Sequence, residues 1–258
     1  METQTRMPVL FIGHGSPMNA IENNEYSLAW KEIGRSLPTP RAIVSISAHW
    51  ETAGTRVTAM GQPKTIHDFY GFPRALYEKQ YPAPGSVELT ERIRNLIKGC
   101  TVSADLDWGL DHGTWSVLCH LYPQANIPVV QLSMDQELTG ESHYKLGQEL
   151  EPLRDENILI LGSGNLVHNL QVANFEVAPY EWALEYDEKV RDWILSGNHE
   201  KVVHHERNSR IAALSVNTAE HYLPLLYVLG AGGLDGKVEF FCEKVMAGSI
   251  SMRCVKIG

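Results

Sequence analysis

A chain of 258 residues with 43% hydrophobic content can bury one sizeable core, and its composition is neither fibrous nor disordered. Acidic residues spread along the chain give a formal charge of −9, and no Lys/Arg run forms a phosphate-tracking stripe, so nucleic acid is not an expected partner. Cys100, Cys119, Cys242 and Cys254 lack C-x-x-C spacing and read as free thiols in a reducing cytosol, not as disulfides or a thiolate metal site.

The first apolar run, residues 9–12, reads as a buried strand that stops at His14, an imidazole between Gly13 and Gly15. A second run, 42–46, closes on His49. Residues 86–97 carry Val87, Leu89, Ile93, Leu96 and Ile97 at helical spacing, and His112 lies in a loop leading into a helix at 115–121. A strand at 127–132 and a helix at 143–153 follow. The next strand, 158–161, runs into a glycine turn that precedes His168, and 181–195 repeats the helical pattern. His221, next to Glu220, is expected just inside a helix capped by Asn217 or Thr218. Strands at 238–241 and 252–257 end the chain. Strands alternating with amphipathic helices predict an α/β fold with a mostly parallel sheet. No repeat or linker interrupts the pattern, so one domain over residues 1–258 is expected. No run reaches the roughly 18 apolar residues of a membrane span, and residues 1–6 lack the apolar stretch of a signal peptide. A cytoplasmic protein with no membrane partner is the expectation.

Eleven histidines are the unusual feature of the composition. Ligands of open α/β sheets bind beyond the carboxyl ends of the strands, which is where His14, His49 and His168 fall. His112 and His221 join them by context. Any one of these, alone, is more often a hydrogen-bonded polar residue than a ligand; the joint pattern marks a site. By contrast His120, His143, His199, His204 and His205 occupy helix-like or charged stretches and read as solvated surface. Imidazoles from separate strands suit a borderline divalent ion such as Zn²⁺ or Fe²⁺, and those beyond the ligand count are candidates for acid/base work.

Six motifs make this specific: Gly-His-Gly-Ser-Pro at 13–17, Ser-x-Ser-Ala-His-Trp at 45–50, Thr-Ile-His-Asp-Phe-Tyr-Gly-Phe-Pro at 65–73, Leu-Asp-His-Gly-Thr-Trp at 110–115, Gly-Ser-Gly-Asn-x-x-His-Asn-Leu at 162–170 and Glu-His-Tyr-Leu-Pro-Leu at 220–225. In this order they resemble the class III extradiol ring-cleavage dioxygenases, in the DOPA 4,5-dioxygenase branch. The resemblance implies a single three-layer α/β/α domain around a mostly parallel, mixed sheet. It also implies one divalent metal ion per chain, Fe²⁺ for oxygen activation, with Zn²⁺ also described in this branch. His14, His49 and His221 would be the metal ligands, His168 the acid/base, and His112 the group stabilising bound dioxygen or a substrate hydroxyl. A more distant branch uses two histidines and a glutamate, so Glu220 is the alternative third ligand, and His168 could approach a zinc ion as a fourth. The implied reaction is 4,5-extradiol cleavage of a catechol such as DOPA with O₂ as co-substrate, by a monomer or small homo-oligomer. One imidazole would take a catechol proton, and a protonated His112 or His168 would offset the developing negative charge.

His67, Phe69 and Phe72 are candidate substrate contacts, and for the two phenylalanines a hydrophobic loop anchor is an equal alternative. Two other functions use the same histidines: a zinc-dependent hydrolase, against which the lack of an H-E-x-x-H helix counts, and a non-catalytic catechol- or metal-binding protein. Imidazoles left over from the ligand set count mildly against the second, because a passive site gains nothing from groups that titrate near neutral pH.

Overall fold

The computed structural model describes residues 6–205 and 209–258. Six strands build the central sheet: β1 (Val9–Gly13), β2 (Ala42–Ser47), β3 (Val129–Gln131), β4 (Ile158–Gly164), β5 (Val238–Phe241) and β6 (Cys254–Ile257). Their spatial order is β5-β6-β1-β4-β2-β3. β1, β4, β2 and β3 pair in parallel, whereas β6 is antiparallel to both β1 and β5. The longer helices are α1 (Glu25–Ser36), α2 (Val87–Leu96), α3 (His112–Leu121), α4 (Gly140–Leu150), α5 (Glu181–Leu195) and α6 (Leu223–Gly232).

Successive strand residues point to opposite faces, and both faces are covered. Val9, Phe11, Val44, Ile46, Ile158 and Ile160 enter a core shared with α2, α4, α5 and α6. Leu10, Ile12, Ile43, Leu159 and Leu161 enter a second core with Trp30 of α1 and Leu118 of α3. This is the expected three-layer α/β/α arrangement around a mixed, mostly parallel sheet. It also explains why the parallel strands read as continuous apolar runs.

Register positions the site. Gly13 pairs with Gly164, and Ser47 pairs with Ser163, so the carboxyl ends of β1, β4 and β2 finish level at one edge. The His14 N–H donates to the Gly164 carbonyl at 3.1 Å and the Ala48 N–H to the Ser163 carbonyl at 2.9 Å, which extends the ladder into the loops that carry the imidazoles.

Three expectations are corrected. His221 is not inside a helix capped by Asn217 or Thr218: α6 starts at Leu223, after Tyr222, with Pro224 in its first turn, where a missing N–H costs nothing. His221 therefore sits in the turn ahead of the helix, and Thr218 donates instead to Glu220 Oε1 at 2.8 Å. The helix expected at 143–153 begins earlier, at Gly140 with Thr139 as cap, and tightens into a 3₁₀ turn over Glu151–Glu156. Finally, His143, His199 and His205 are buried, not solvated. His143 Nδ1 meets the Tyr227 hydroxyl at 2.9 Å and His199 Nδ1 the Tyr144 hydroxyl at 3.0 Å, so helix packing turned these rings inward and gave them polar partners.

All four cysteines are free. Among the described residues, no helix is long and apolar enough to cross a membrane.

Candidate active site

The site is assembled from turns at the strand ends. Gly15 takes φ +59°, where a side chain would be strained, and a Cβ there would lie 2.5 Å from Met252 Sδ. This tight turn folds the chain back directly after His14. The His14 ring is buried, with Nδ1 3.0 Å from Ser163 Oγ. Ser163 Oγ donates its own hydrogen to the Gly113 carbonyl at 2.5 Å, so it can only accept from His14. The proton of His14 is thereby held on Nδ1, and the Nε2 lone pair is left free.

Nε2 of His14 faces Nε2 of His49 at 3.1 Å. The His221 carbonyl receives the Asn165 N–H at 2.8 Å, and its Nδ1 lies 3.1 Å from Glu220 Oε1, which orients that ring in the same manner. His112, the first residue of α3, donates its backbone N–H to Asp68 Oδ1 at 2.8 Å and Nδ1–H to Asp68 Oδ2 at 2.9 Å. Asp68 Oδ2 is also 3.5 Å from His49 Nδ1. The His168 ring stacks on that of His221, with centroids 3.5 Å apart and planes at 9°. The helix beneath is anchored by the buried Asp111, which accepts from Ser47 at 2.7 Å, Gln131 at 2.7 Å and the Thr114 N–H at 3.1 Å.

Ring separations test whether these groups suit one metal ion. An imidazole bonded through nitrogen at about 2.05 Å puts its centroid about 3.2 Å from the ion, so tetrahedral neighbours stand about 5.2 Å apart. The separations His14–His49, His14–His221 and His49–His221 are 5.0, 5.3 and 5.2 Å. His49–His112 and His168–His221, at 3.9 and 3.5 Å, are too close for both rings of either pair to share tetrahedral coordination. By donor-atom proximity, His14, His49 and His112 form one set within 4.8 Å, and His168, Glu220 and His221 another. Ring spacing fits His221 better than His112 as the third corner, because His221 stands 5.3 and 5.2 Å from His14 and His49 whereas His112 stands 5.7 and 3.9 Å from them. Neutral nitrogen donors, hydrogen-bonded on the far side in His14 and His221 and facing the Asp68 carboxylate at 3.5 Å in His49, fit a borderline divalent ion.

Burial keeps the rings of His14, His49, His168 and His221 neutral. It holds His14 well below the ordinary imidazole range, reinforced by the neighbouring His49 and His221, and does the same to His221, reinforced by His168 and His49. His49 is pushed down to about 3 by burial and by His112, against the pull of Asp68. His168 falls to about 4 through burial, opposed by Glu220. For Asp68, burial alone would raise the carboxyl, but hydrogen bonding and charge from His112 outweigh it and hold it below the ordinary carboxylate range.

A cavity of about 330 Å³ opens over the cluster. His14, His49, His112, His168 and His221 all line it, as do Phe69 and Phe72. His67 does not: its Nε2 bonds to the Lys79 carbonyl at 2.9 Å, and its ring packs behind Phe69 and against Trp115. Glu220 stands behind His221, on its Nδ1 side. Asp68 and Ser163 carried no separate signal in the sequence beyond their places in the His67 motif and the glycine turn. Leu170, which also lines the cavity, carried only its place at the end of that same glycine-turn motif, and Phe175, Met246 and Ile250 carried none.

Comparisons with known proteins show what the chain is similar to. Residues 8–252 match the family described as the catalytic LigB subunit of aromatic ring-opening dioxygenase. A protein of Escherichia coli (strain K12) named 4,5-DOPA dioxygenase extradiol is 47% identical, over 99% of this chain and 96% of its own length. One of the same name from Beta vulgaris is 42% identical over 89% of this chain and 88% of its own. A crystal structure of an Escherichia coli K12 protein described as uncharacterized superposes with a TM-score of 0.86 at 42% identity, covering 98% of this chain and 100% of that one. With a level row of strand ends that brings five imidazoles to one cavity, and a family match over nearly its whole length, the chain belongs to the LigB family of aromatic ring-opening dioxygenases.

Proposed function

We propose that the protein is an extradiol ring-cleaving dioxygenase, one catalytic domain over residues 1–258, that opens a catechol such as DOPA with O₂ as co-substrate. The observation that carries this reading is the near-equilateral triangle of His14, His49 and His221, with His112 and His168 outside it but on the same cavity. These three hold the metal ion, and Glu220 supports His221 from behind. Fe²⁺ held there would supply redox chemistry toward dioxygen, whereas Zn²⁺ would not change oxidation state.

The chain's own groups do the remainder. His168, neutral at pH 7 with its pKa lowered to about 4, lines the cavity and accepts a proton from a catechol hydroxyl there. The Asp68 carboxylate accepts the Nδ1–H of His112, which leaves Nε2 of that ring for the substrate; with a proton on it, that nitrogen would donate to negative charge developing on substrate or dioxygen. Phe69 and Phe72, their centroids 5.4 Å apart, form a wall for the aromatic ring. His67 packs behind Phe69 and positions it. The four free thiols fit a reducing compartment, the cytoplasm.

The test is reconstitution of metal-stripped protein with Fe²⁺ or Zn²⁺ without oxygen, followed by DOPA and air. Oxygen uptake matched by a yellow ring-opened product in the iron sample alone supports the reading. Tight metal binding with no oxygen uptake from any catechol would favour a zinc-dependent hydrolase or a passive binding protein.

A further inference from the structure

The inner end of the cavity is imidazole, but its outer wall is hydrocarbon. Leu170 and Phe175 stand at the mouth, 64% and 70% exposed, with Met246 and Ile250 beside them. The segment that carries Leu170 and Phe175 is tied down. The Asn169 side chain donates to the Leu214 carbonyl at 2.9 Å, Ser249 Oγ donates to the Asn169 carbonyl at 2.8 Å, and the Asn174 N–H reaches the Ala247 carbonyl at 2.9 Å. Among the described residues lining the cavity none is Lys or Arg, and the one carboxylate, Asp68, is engaged by His112. A cavity of about 150 Å³ accommodates benzene, so the 330 Å³ here holds a catechol and a ring substituent as well.

We propose, resting on the dioxygenase reading, that Leu170, Phe175 and Met246 form a subsite for the substituent of the catechol, and that this subsite selects neutral apolar substituents, as in alkyl- and arylalkyl-catechols, over the zwitterionic side chain of an amino acid. A carboxylate set against this wall loses hydration with no cationic partner. A hydrocarbon substituent instead covers the exposed faces of Leu170 and Phe175, and each buried methylene strengthens binding by about two- to fourfold.

The experiment is titration of the Fe²⁺-loaded protein, without oxygen, with catechol, 4-butylcatechol and L-DOPA, followed by admission of air to record oxygen uptake. The expected result is 4-butylcatechol bound at least about tenfold more tightly than L-DOPA, from the methylene increments. In the Leu170→Ala/Phe175→Ala double variant that ratio falls most of the way to one, and Leu170→Arg moves it toward L-DOPA. Both positions are largely exposed, so these variants fold. L-DOPA bound as tightly as 4-butylcatechol, or a ratio that the double variant leaves unchanged, overturns the subsite even if oxygen is consumed. The expected ratio without oxygen uptake upholds the subsite and refutes the dioxygenase reading. Failure of every catechol to bind overturns both.

Discussion

Ser163 decides which nitrogen of His14 faces the cavity. Because its hydroxyl hydrogen is committed to the Gly113 carbonyl, it must accept from His14 Nδ1–H, and the imidazole presents Nε2 as a lone pair. Ser163→Ala removes this constraint without adding bulk, so metal affinity should fall by about 10- to 100-fold while the fold persists. Metal titration monitored alongside circular dichroism checks this, and unchanged affinity would remove Ser163 from the support of the site. His168 has a different task. It stacks on His221 too closely to share tetrahedral coordination with it, so His168→Ala should keep its metal and lose at least about 100-fold in kcat. Loss of the metal in that variant would instead make His168 a ligand.

At the scale of elements, the site depends on how closely α3 approaches the end of β2. A Cβ on Gly113 would lie 2.5 Å from Ser47 Oγ and 2.9 Å from His49 Cδ2. Gly113→Ala should therefore displace His49 and the Asp111–Ser47 contact together. The expected cost is about 1–3 kcal/mol of stability, with weakened metal binding. Denaturation and metal titration of one preparation measure both, and wild-type metal affinity at reduced stability would show that the strain relaxes away from the imidazole. Asp111 was legible in the sequence only as an acidic neighbour of His112. The structure makes it the N-cap of α3, holding the helix start that presents His112.

For the whole molecule, gathering imidazoles into one buried cluster has a pH signature. His49 and His168 titrate near 3 and 4 when folded, and His14 and His221 also lie well below the ordinary value of 6.5. Between those values the unfolded chain binds more protons than the folded one, so folding stability rises with pH. The metal-stripped protein should thus be most stable above pH about 6.5 and lose stability progressively as the pH falls toward about 4. Urea midpoints measured across that range check the sign, and His168→Gln should flatten the dependence; a flat wild-type profile would contradict the buried neutral cluster.

The sequence by itself determined the α/β alternation, all six strands of the central sheet and the identity of the strand-end histidines, because the four parallel strands, buried on both faces, leave unbroken apolar runs, the two antiparallel strands are short, mostly apolar runs as well, and ligands gather beyond the ends of the parallel ones. It misjudged His143, His199 and His205, since one helix period cannot show which second helix will cover a polar ring. Only the tertiary structure decided that Gly13, Ser47, Ser163 and Gly164 stand level, that Asp68 serves His112 and approaches His49, and that Leu170 and Phe175 flank the same cavity. These relations join residues far apart in the chain through register and loop packing. Distances between such residues are set by the sheet, whereas local patterning carries only the period of each element.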